Sequence, residues 1–525
     1  MLQLGNARLR TRFLRCRALF AGTASARYPT TLEVPMKLAA LFLFCLASLS
    51  QAGSSAYFAP EHRLAGIGVD RDGLADDALA TRTRLMIESQ TFIIMREPKA
   101  VAGAKRVTSD PKLQSVFRAA AAASGFPQDL LEAIAYLESW GDVSAESWAG
   151  SPRGIMQISL ATARTMGLKV GQATRYRTVK VKVRVKGANG KVKYKTVSRR
   201  TPYVVIVRDE RLIPERAIPA AAHYLAGMER TFGARDWAIF AYHCGQGCVA
   251  EMQELTRRAR GIPKDQITVP RMYFSSNPAW NRELYLAVQQ QMQRDYSPTY
   301  YFRILCASQL LALYRSDPAA FAALADANKS EFNTVGRAPH RLSVWLKRED
   351  LIFHSDEDIR ADNGKLLARA IERPEFFGYT LHFPGAAAGD RAELAAASPA
   401  TLGALTYIAF ETRRLFEAMD ANQEKFRPLP VTELVAPEDD AQLQNRRDEA
   451  AHGSGQVFDI DYSGLPPMEL ECLRFILDDL GDDGYLGFVE EGRDNLHVGC
   501  SPSSRDFFAA VYQEAASATA APALP

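Results

Sequence analysis

Helical patterning over residues 111–168 and again over 209–325 is broken by one stretch in which apolar and basic residues strictly alternate. Val179, Val181, Val183 and Val185 alternate with Lys180, Lys182, Arg184 and Lys186. Gly187-Ala188-Asn189-Gly190 follows, then Lys191-Val192-Lys193-Tyr194-Lys195. A helix turns through about 3.6 residues and cannot sort a period of two onto separate faces. Alternation around an Asn-Gly turn is the pattern of a β-hairpin. Residues 170–208 are therefore expected to be a hairpin inserted into a mainly α-helical domain, with one Val-rich face and one row of cations. Between Arg175 and Arg200 there are eleven basic residues and no acidic one, in a chain whose net charge is only +4. Two readings fit such a ribbon. It attracts a polyanion, or its charges serve only to block edge pairing.

The 525 residues, 47% of them apolar, are too many for one ordinary core. Met36-Lys37 opens a short basic start, Leu38 to Leu49 is an apolar run, and Ser50-Gln51-Ala52-Gly53 offers a small-residue cleavage site. Residues 36–53 read as a secretory signal peptide, too short to span a membrane. The Arg-rich residues 1–35 read as an over-extended start, with a presequence as the alternative. The expected location is the periplasm or cell envelope, with no transmembrane span left after cleavage. Nucleic acid is a poor partner for an exported chain, whatever its charge. Cys244, Cys248, Cys306, Cys472 and Cys500 would remain, an odd number. Cys244 with Cys248, and Cys472 with Cys500, are candidate local disulfides; small buried thiols are the alternative. Residues 54–110 form an N-terminal segment of little signal. Residues 301–340 read as a helical extension and linker, 341–515 as an α+β domain, and 516–525 as a disordered tail.

The segment from Gly125 to Gly141 carries the chemistry. Pro127 suits a first helical turn, and Leu131, Ile134 and Leu137 form a buried stripe. Glu138 lies four residues after Ile134, beside that stripe and at the negative C-terminal end of the helix. Both features disfavour its ionised form. A carboxylic acid kept protonated near neutral pH suits a general acid. A glutamate making a salt bridge at a helix end is the alternative.

Three motifs in order decide between them. Glu138-Ser139 comes first. Gly154-Ile155-Met156-Gln157-Ile158 follows, with Thr162-Ala163 and Gly167-Leu168. Ala222-His223-Tyr224-Leu225 and Ala241-Tyr242-His243-Cys244-Gly245-Gln246-Gly247 complete the set. The stretch from about 111 to 255 resembles the lytic transglycosylases of the goose-lysozyme-like superfamily. The resemblance implies a lysozyme-like catalytic domain over 111–300, acting on peptidoglycan glycan strands. It implies Glu138 as the catalytic acid/base, and Ser139, Met156, Gln157, Tyr224, Tyr242 and His243 lining the sugar cleft. His243 stands where the family usually has Asn, so activity is expected to depend on pH. By resemblance, Glu138 protonates the bond between N-acetylmuramic acid and N-acetylglucosamine, then helps the muramic 6-hydroxyl close a 1,6-anhydro ring. No cofactor is required. Asp142 or Glu146 as a second carboxylate would permit ordinary hydrolysis instead, and a non-catalytic wall-binding scaffold is a third reading. In this setting the polyanion expected at the hairpin is an anionic wall or outer-membrane polymer.

The C-terminal part carries His452, Gly455 and Asp459, with His497 later. Two histidines and an aspartate can form a three-ligand zinc site with one open position. The spacing resembles zinc-dependent D-Ala-D-Ala peptidases, with Asp494 at the position of the family's acidic base. Ala450 replaces the family's serine, and no arginine occurs in Thr432-Glu433-Leu434-Val435 to stabilise an oxyanion. The resemblance so reduced implies a peptidase-like fold that binds wall peptide with weak or no catalysis. Structural histidines in an unrelated domain are the alternative.

Overall fold

The computed structural model describes residues 58–147, 152–186, 192–263, 265–292, 297–328, 353–362, 364–383, 394–419, 424–437, 452–491 and 494–520. The signal segment, the Asn-Gly turn at 187–190 and residues 329–340 of the linker lie outside the described residues.

The first part is a helical layer. It opens with α1 (Asp76–Met95), α2 (Ala100–Ser109), α3 (Pro111–Ser124) and α4 (Gln128–Ser139). Their limits follow from local chemistry. Asp110 caps α3 by accepting from the amides of Lys112 and Leu113, Pro111 fills the first turn, and Gly125 closes the helix at φ 77°. Helix α4 is buried almost all round, through Leu130, Leu131, Ala133, Ile134, Ala135 and Tyr136. The Leu137 end of the expected stripe is only half-buried. After α5 (Leu160–Thr165) and the hairpin come α6 (Pro214–Phe232), α7 (Arg235–Cys244), α8 (Gln246–Arg258), α9 (Val269–Phe274), α10 (Arg282–Met292), α11 (Tyr300–Ser316) and α12 (Pro318–Asn328). One core runs from Leu79 to Ala325, in which α2 and α11 pack on α4 and α1 packs on α11.

The insert is the expected hairpin, β1 (Val170–Lys186) paired antiparallel with β2 (Val192–Asp209). Its faces differ from the expectation of one valine face and one cationic face. Val179 pairs with Arg199 and Val183 with Lys195, while Thr178 pairs with Arg200. Directly opposed residues share a face. The second strand therefore sets cations beside the valines, and both faces are basic. Alternation within one strand could not show this, because the pairing register decides it.

The second part is α+β. The strands β4 (Tyr379–Leu381), β6 (Leu429–Glu433), β7 (Val457–Asp461), β8 (Leu486–Glu491) and β9 (Asn495–Cys500) form a sheet of order β4-β6-β7-β9-β8. Its pairs are antiparallel except β4 with β6. β3 (Ala368–Arg369) and β5 (Ala396–Ala397) make a separate short pair, and α13 (Asp356–Asp362) precedes them. Helix α14 (Pro399–Met419) lies against β7 and β9 and packs with α15 (Pro467–Asp482) and α16 (Arg505–Ala520). Two expectations are corrected here. The tail from 516 to 520 is the end of α16, with Thr519 buried, because alanine favours helix until Pro522 approaches. Cys472 and Cys500 are not joined in a disulfide. Cys472 Sγ faces Met419 Sδ at 3.6 Å, whereas Cys500 Sγ faces the Ala400 carbonyl at 3.5 Å. Each thiol has its own neighbours.

The two layers meet through charge. Buried Arg82 on α1 donates to Asp479 at 2.5 Å and to Asp483 at 2.9 Å. Tyr273 donates to Asp482, and Asn277 Nδ2 to the Gly68 carbonyl at 2.6 Å. Among the described residues no helix is long and apolar enough to cross a membrane.

Candidate active site

Glu138 sits in the last turn of α4, half-buried. Tyr300, the first residue of α11 and wholly buried, donates its hydroxyl to Glu138 Oε1 at 2.8 Å. The His243 ring stacks on Tyr300, with centroids 4.6 Å apart and planes 13° from parallel. Burial raises the Glu138 carboxyl above the usual carboxylate range; His243 and the Tyr300 hydroxyl pull it back only in part. Glu132 on the same helix is a contrast. It is buried too, yet it accepts from Gln114 and Gln128 at 2.8 Å each and pairs with Arg315.

The backbone around Glu138 is held in uncommon conformations. Trp140 takes φ 55° and closes α4 with its amide on the Tyr136 carbonyl at 2.8 Å. Gln157 takes φ 43°. A left-handed non-glycine residue costs roughly 1–2 kcal/mol, and such residues persist where surrounding contacts over-determine them. Gln157 is held by its side-chain amide, which donates to the carbonyls of Ala145 at 3.2 Å and Gly154 at 2.9 Å.

The expected cleft residues are brought together, some in roles other than sugar contact. Ser139 is buried, and its hydroxyl donates to Ile155 O at 2.8 Å, so it ties α4 to the Met-Gln loop. Met156 is 0% exposed and its side chain belongs to the core. Its carbonyl accepts the Tyr242 hydroxyl at 2.7 Å, joining α7 to the same loop. Tyr224 meets Tyr242 edge-on at 6.4 Å and accepts from Gln246 Nε2 at 3.4 Å. Glu138, Tyr224, Tyr242 and Gln157 remain partly accessible. Sequence reasoning missed Tyr300. It stands in a run of aromatic and leucine residues that reads as core, and no local pattern separates it from its neighbours.

The loop rests on the root of the hairpin. Gly154 takes φ 78°, and a Cβ there would lie 2.0 Å from the Arg211 carbonyl oxygen. Buried Arg211 grips Asp209 with Nε on Oδ1 and Nη2 on Oδ2, both at 2.8 Å, and donates to Ile158 O at 3.0 Å. The two carboxylates near Glu138 in sequence are engaged elsewhere. Asp142 accepts from the Ser144 amide at 2.8 Å and hydroxyl at 2.7 Å, which hold it below the usual range. Exposed Glu146 pairs with Arg153 at 3.2 Å.

A second cluster lies in the C-terminal sheet. Asp459 on β7 pairs directly with His497 on β9, and with Glu433 on β6. Asp459 Oδ1 is 2.8 Å from His497 Nδ1 and 3.2 Å from His452 Nε2. His452 Nδ1 meets Leu434 O at 2.7 Å, and Asn495 Nδ2 donates to Asp459 Oδ2 at 2.5 Å. All three residues are buried, and the potential ligand atoms lie within 4.8 Å of one another. The histidines hold the Asp459 carboxyl well below its ordinary range against the effect of burial. Asp494 is exposed, with its carbonyl accepting the Tyr462 amide.

The model of the family described as Transglycosylase SLT domain matches residues 115–189 and 191–263. The chain is also 32% identical over 150 residues to "Peptidoglycan transglycosylase gp16" of Escherichia phage T7, a match covering 28% of this chain and 9% of that protein. The chain therefore spans about a tenth of the length of that relative. The family match takes in Glu138, the Met-Gln loop, the hairpin strands, Tyr224, Tyr242 and His243, and stops short of the α+β layer. Residues 115–263 thus match the transglycosylase SLT domain model over a region that is mainly helical and carries a β-hairpin.

Proposed function

We propose that this chain is an exported peptidoglycan lytic transglycosylase that cleaves the bond between N-acetylmuramic acid and N-acetylglucosamine with Glu138. The observation that carries the reading is a carboxyl raised by burial, held on one oxygen by Tyr300, with Asp142 and Glu146 committed elsewhere. Oε1 takes the Tyr300 hydroxyl, which leaves Oε2 to carry the proton. Glu138 gives that proton to the glycosidic oxygen, the C1–O bond breaks, and the N-acetylglucosamine hydroxyl departs. Positive charge develops at the muramic C1. The carboxylate, now charged, keeps the Tyr300 hydrogen bond and takes the proton of the muramic 6-hydroxyl as that oxygen closes on C1. Atoms balance without water. Two-carboxylate glycosidases hold a second acid across the bond to activate water or to attack, and the placement of Asp142 and Glu146 favours ring closure over hydrolysis.

Glu138→Gln is expected to lower release of soluble muropeptides from purified sacculi by about 10²–10⁴-fold. Mass spectrometry of the wild-type products should show 1,6-anhydro ends. Reducing ends would mean a hydrolytic muramidase, and undiminished release by the variant would remove Glu138 from the chemistry.

A second reading concerns the buried triad. His452 Nε2, Asp459 Oδ1 and His497 Nδ1 would hold a zinc ion. Tetrahedral zinc with bonds of about 2.0–2.1 Å separates its ligands by roughly 3.3 Å, and the distances of 2.8 and 3.2 Å fall just inside that spacing. The Leu434 carbonyl on Nδ1 of His452 is the outer bond that turns Nε2 inward. Zinc there would polarise a peptide carbonyl or a water. The full chain is expected to retain about one zinc and lose it on His452→Ala, with chelation lowering the unfolding midpoint. Absence of bound metal, with no effect of chelator, would leave the histidines structural.

A further inference from the structure

We propose that the hairpin is a cationic arm that holds the carboxylate-bearing peptide stems of the same wall strand whose glycan enters the Glu138 cleft. The inference rests on the transglycosylase reading. Eleven cations between Arg175 and Arg200 outnumber the net charge of +4, so the rest of the molecule is net acidic and the positive field is concentrated on this ribbon. The register spreads the charge over both faces. Arg177 and Lys195 lie on one, Lys180, Lys182, Arg184 and Arg200 on the other, and all are exposed. With strands of 17 and 18 residues, the ribbon reaches roughly 55 Å at about 3.3 Å per residue. An isolated two-stranded hairpin is marginal in water, which suits an element completed by its ligand. Aromatic rings interleave the cations. Tyr176 is 54% exposed and Tyr194 70%, and Arg200 lies over Tyr176 at 4.5 Å. Such rings offer flat apolar faces to sugars between the charges.

Position selects the occupant among polyanions. The root is bolted to the loop bearing Met156 and Gln157 through Arg211 on Ile158 O and Arg153 on Asp209 at 3.7 Å. A strand leaving the cleft past this loop meets the arm directly. A wall strand carries carboxylates on its peptide stems along the polymer being cut, whereas nucleic acid or a lipid surface has no reason to share that wall.

The test uses the full chain as the strand-trapping variant Glu138→Gln, with and without Lys180, Lys182, Arg184, Lys195, Arg199 and Arg200 changed to Gln. Pelleting with intact sacculi should be strong, fall with added salt, and drop about ten-fold in the charge-reduced arm. Sacculi stripped of peptide stems by an amidase should pellet the two proteins alike. With Glu138 restored, the charge-reduced arm should raise KM on sacculi about ten-fold and move the ceiling rate far less. Unfolding midpoints of the paired proteins report whether the substitutions disturb the fold, and the salt titration needs no substitution in the arm. Equal pelleting and equal KM would overturn the inference. A loss confined to duplex DNA or to phosphatidylglycerol vesicles would overturn it too. Failure of the cleavage reading looks different: the wild-type chain would release nothing from sacculi while arm-dependent pelleting persisted.

Discussion

At the scale of single residues, the two glutamates of α4 show how surroundings divide one residue type between two tasks. Glu132 is surrounded by donors and a guanidinium, and serves the core. Glu138 accepts one hydroxyl, and burial outweighs that bond and His243, so its carboxyl stands above the usual range. Tyr300 tunes this, since its hydrogen bond favours the carboxylate. Tyr300→Phe should therefore raise the Glu138 pKa further. A general acid loses activity as pH rises through its pKa, so the alkaline limb of the kcat/KM profile should move to higher pH. The rate at the optimum should fall on the order of ten- to a hundred-fold as the carboxyl loses its fixed orientation. A pH profile that is lower but unmoved would mean that Tyr300 only fills space.

At the scale of elements, the cleft wall depends on a close approach of two backbones. The loop from Gly154 to Ile158 lies against the turn after β2, and Gly154 is the residue that permits it. Gly154→Ala adds a Cβ 2.0 Å from a carbonyl oxygen and a left-handed penalty together. We expect a loss of about 3 kcal/mol in urea unfolding, and a fall in muropeptide release larger than the unfolded fraction explains. Wild-type stability in that variant would mean that the loop and the hairpin root are not coupled. The hairpin was legible in the sequence as an element because alternation and an Asn-Gly turn are local signals. Its charge distribution was not, because opposed residues such as Val179 and Arg199 come from two different strands.

At the scale of the whole molecule, the junction between the helical and α+β layers holds carboxyls that burial pushes upward. Glu411 on α14 rises to about 7, mainly by burial, with Arg414 opposing. A carboxyl whose folded pKa exceeds its unfolded value binds more protons when folded. Its contribution is fully present below about 4.5 and is lost as pH rises through about 7. The urea midpoint should fall between pH 5 and 8, and Glu411→Gln should flatten that dependence; an equally steep fall in the variant would place the titration elsewhere. The sequence alone determined what local chemistry can encode: the helical class, the inserted hairpin, a glutamate at a helix end whose surroundings disfavour its charge, and the ordered motifs that the family model matches. Tertiary structure alone decided which far residues complete the site. Tyr300 lies 162 positions from Glu138, and no periodicity links them; only the packing of α11 on α4 does. It also made Ser139 and Met156 supports of the cleft wall, because burial is a property of the folded neighbourhood and not of the residue type.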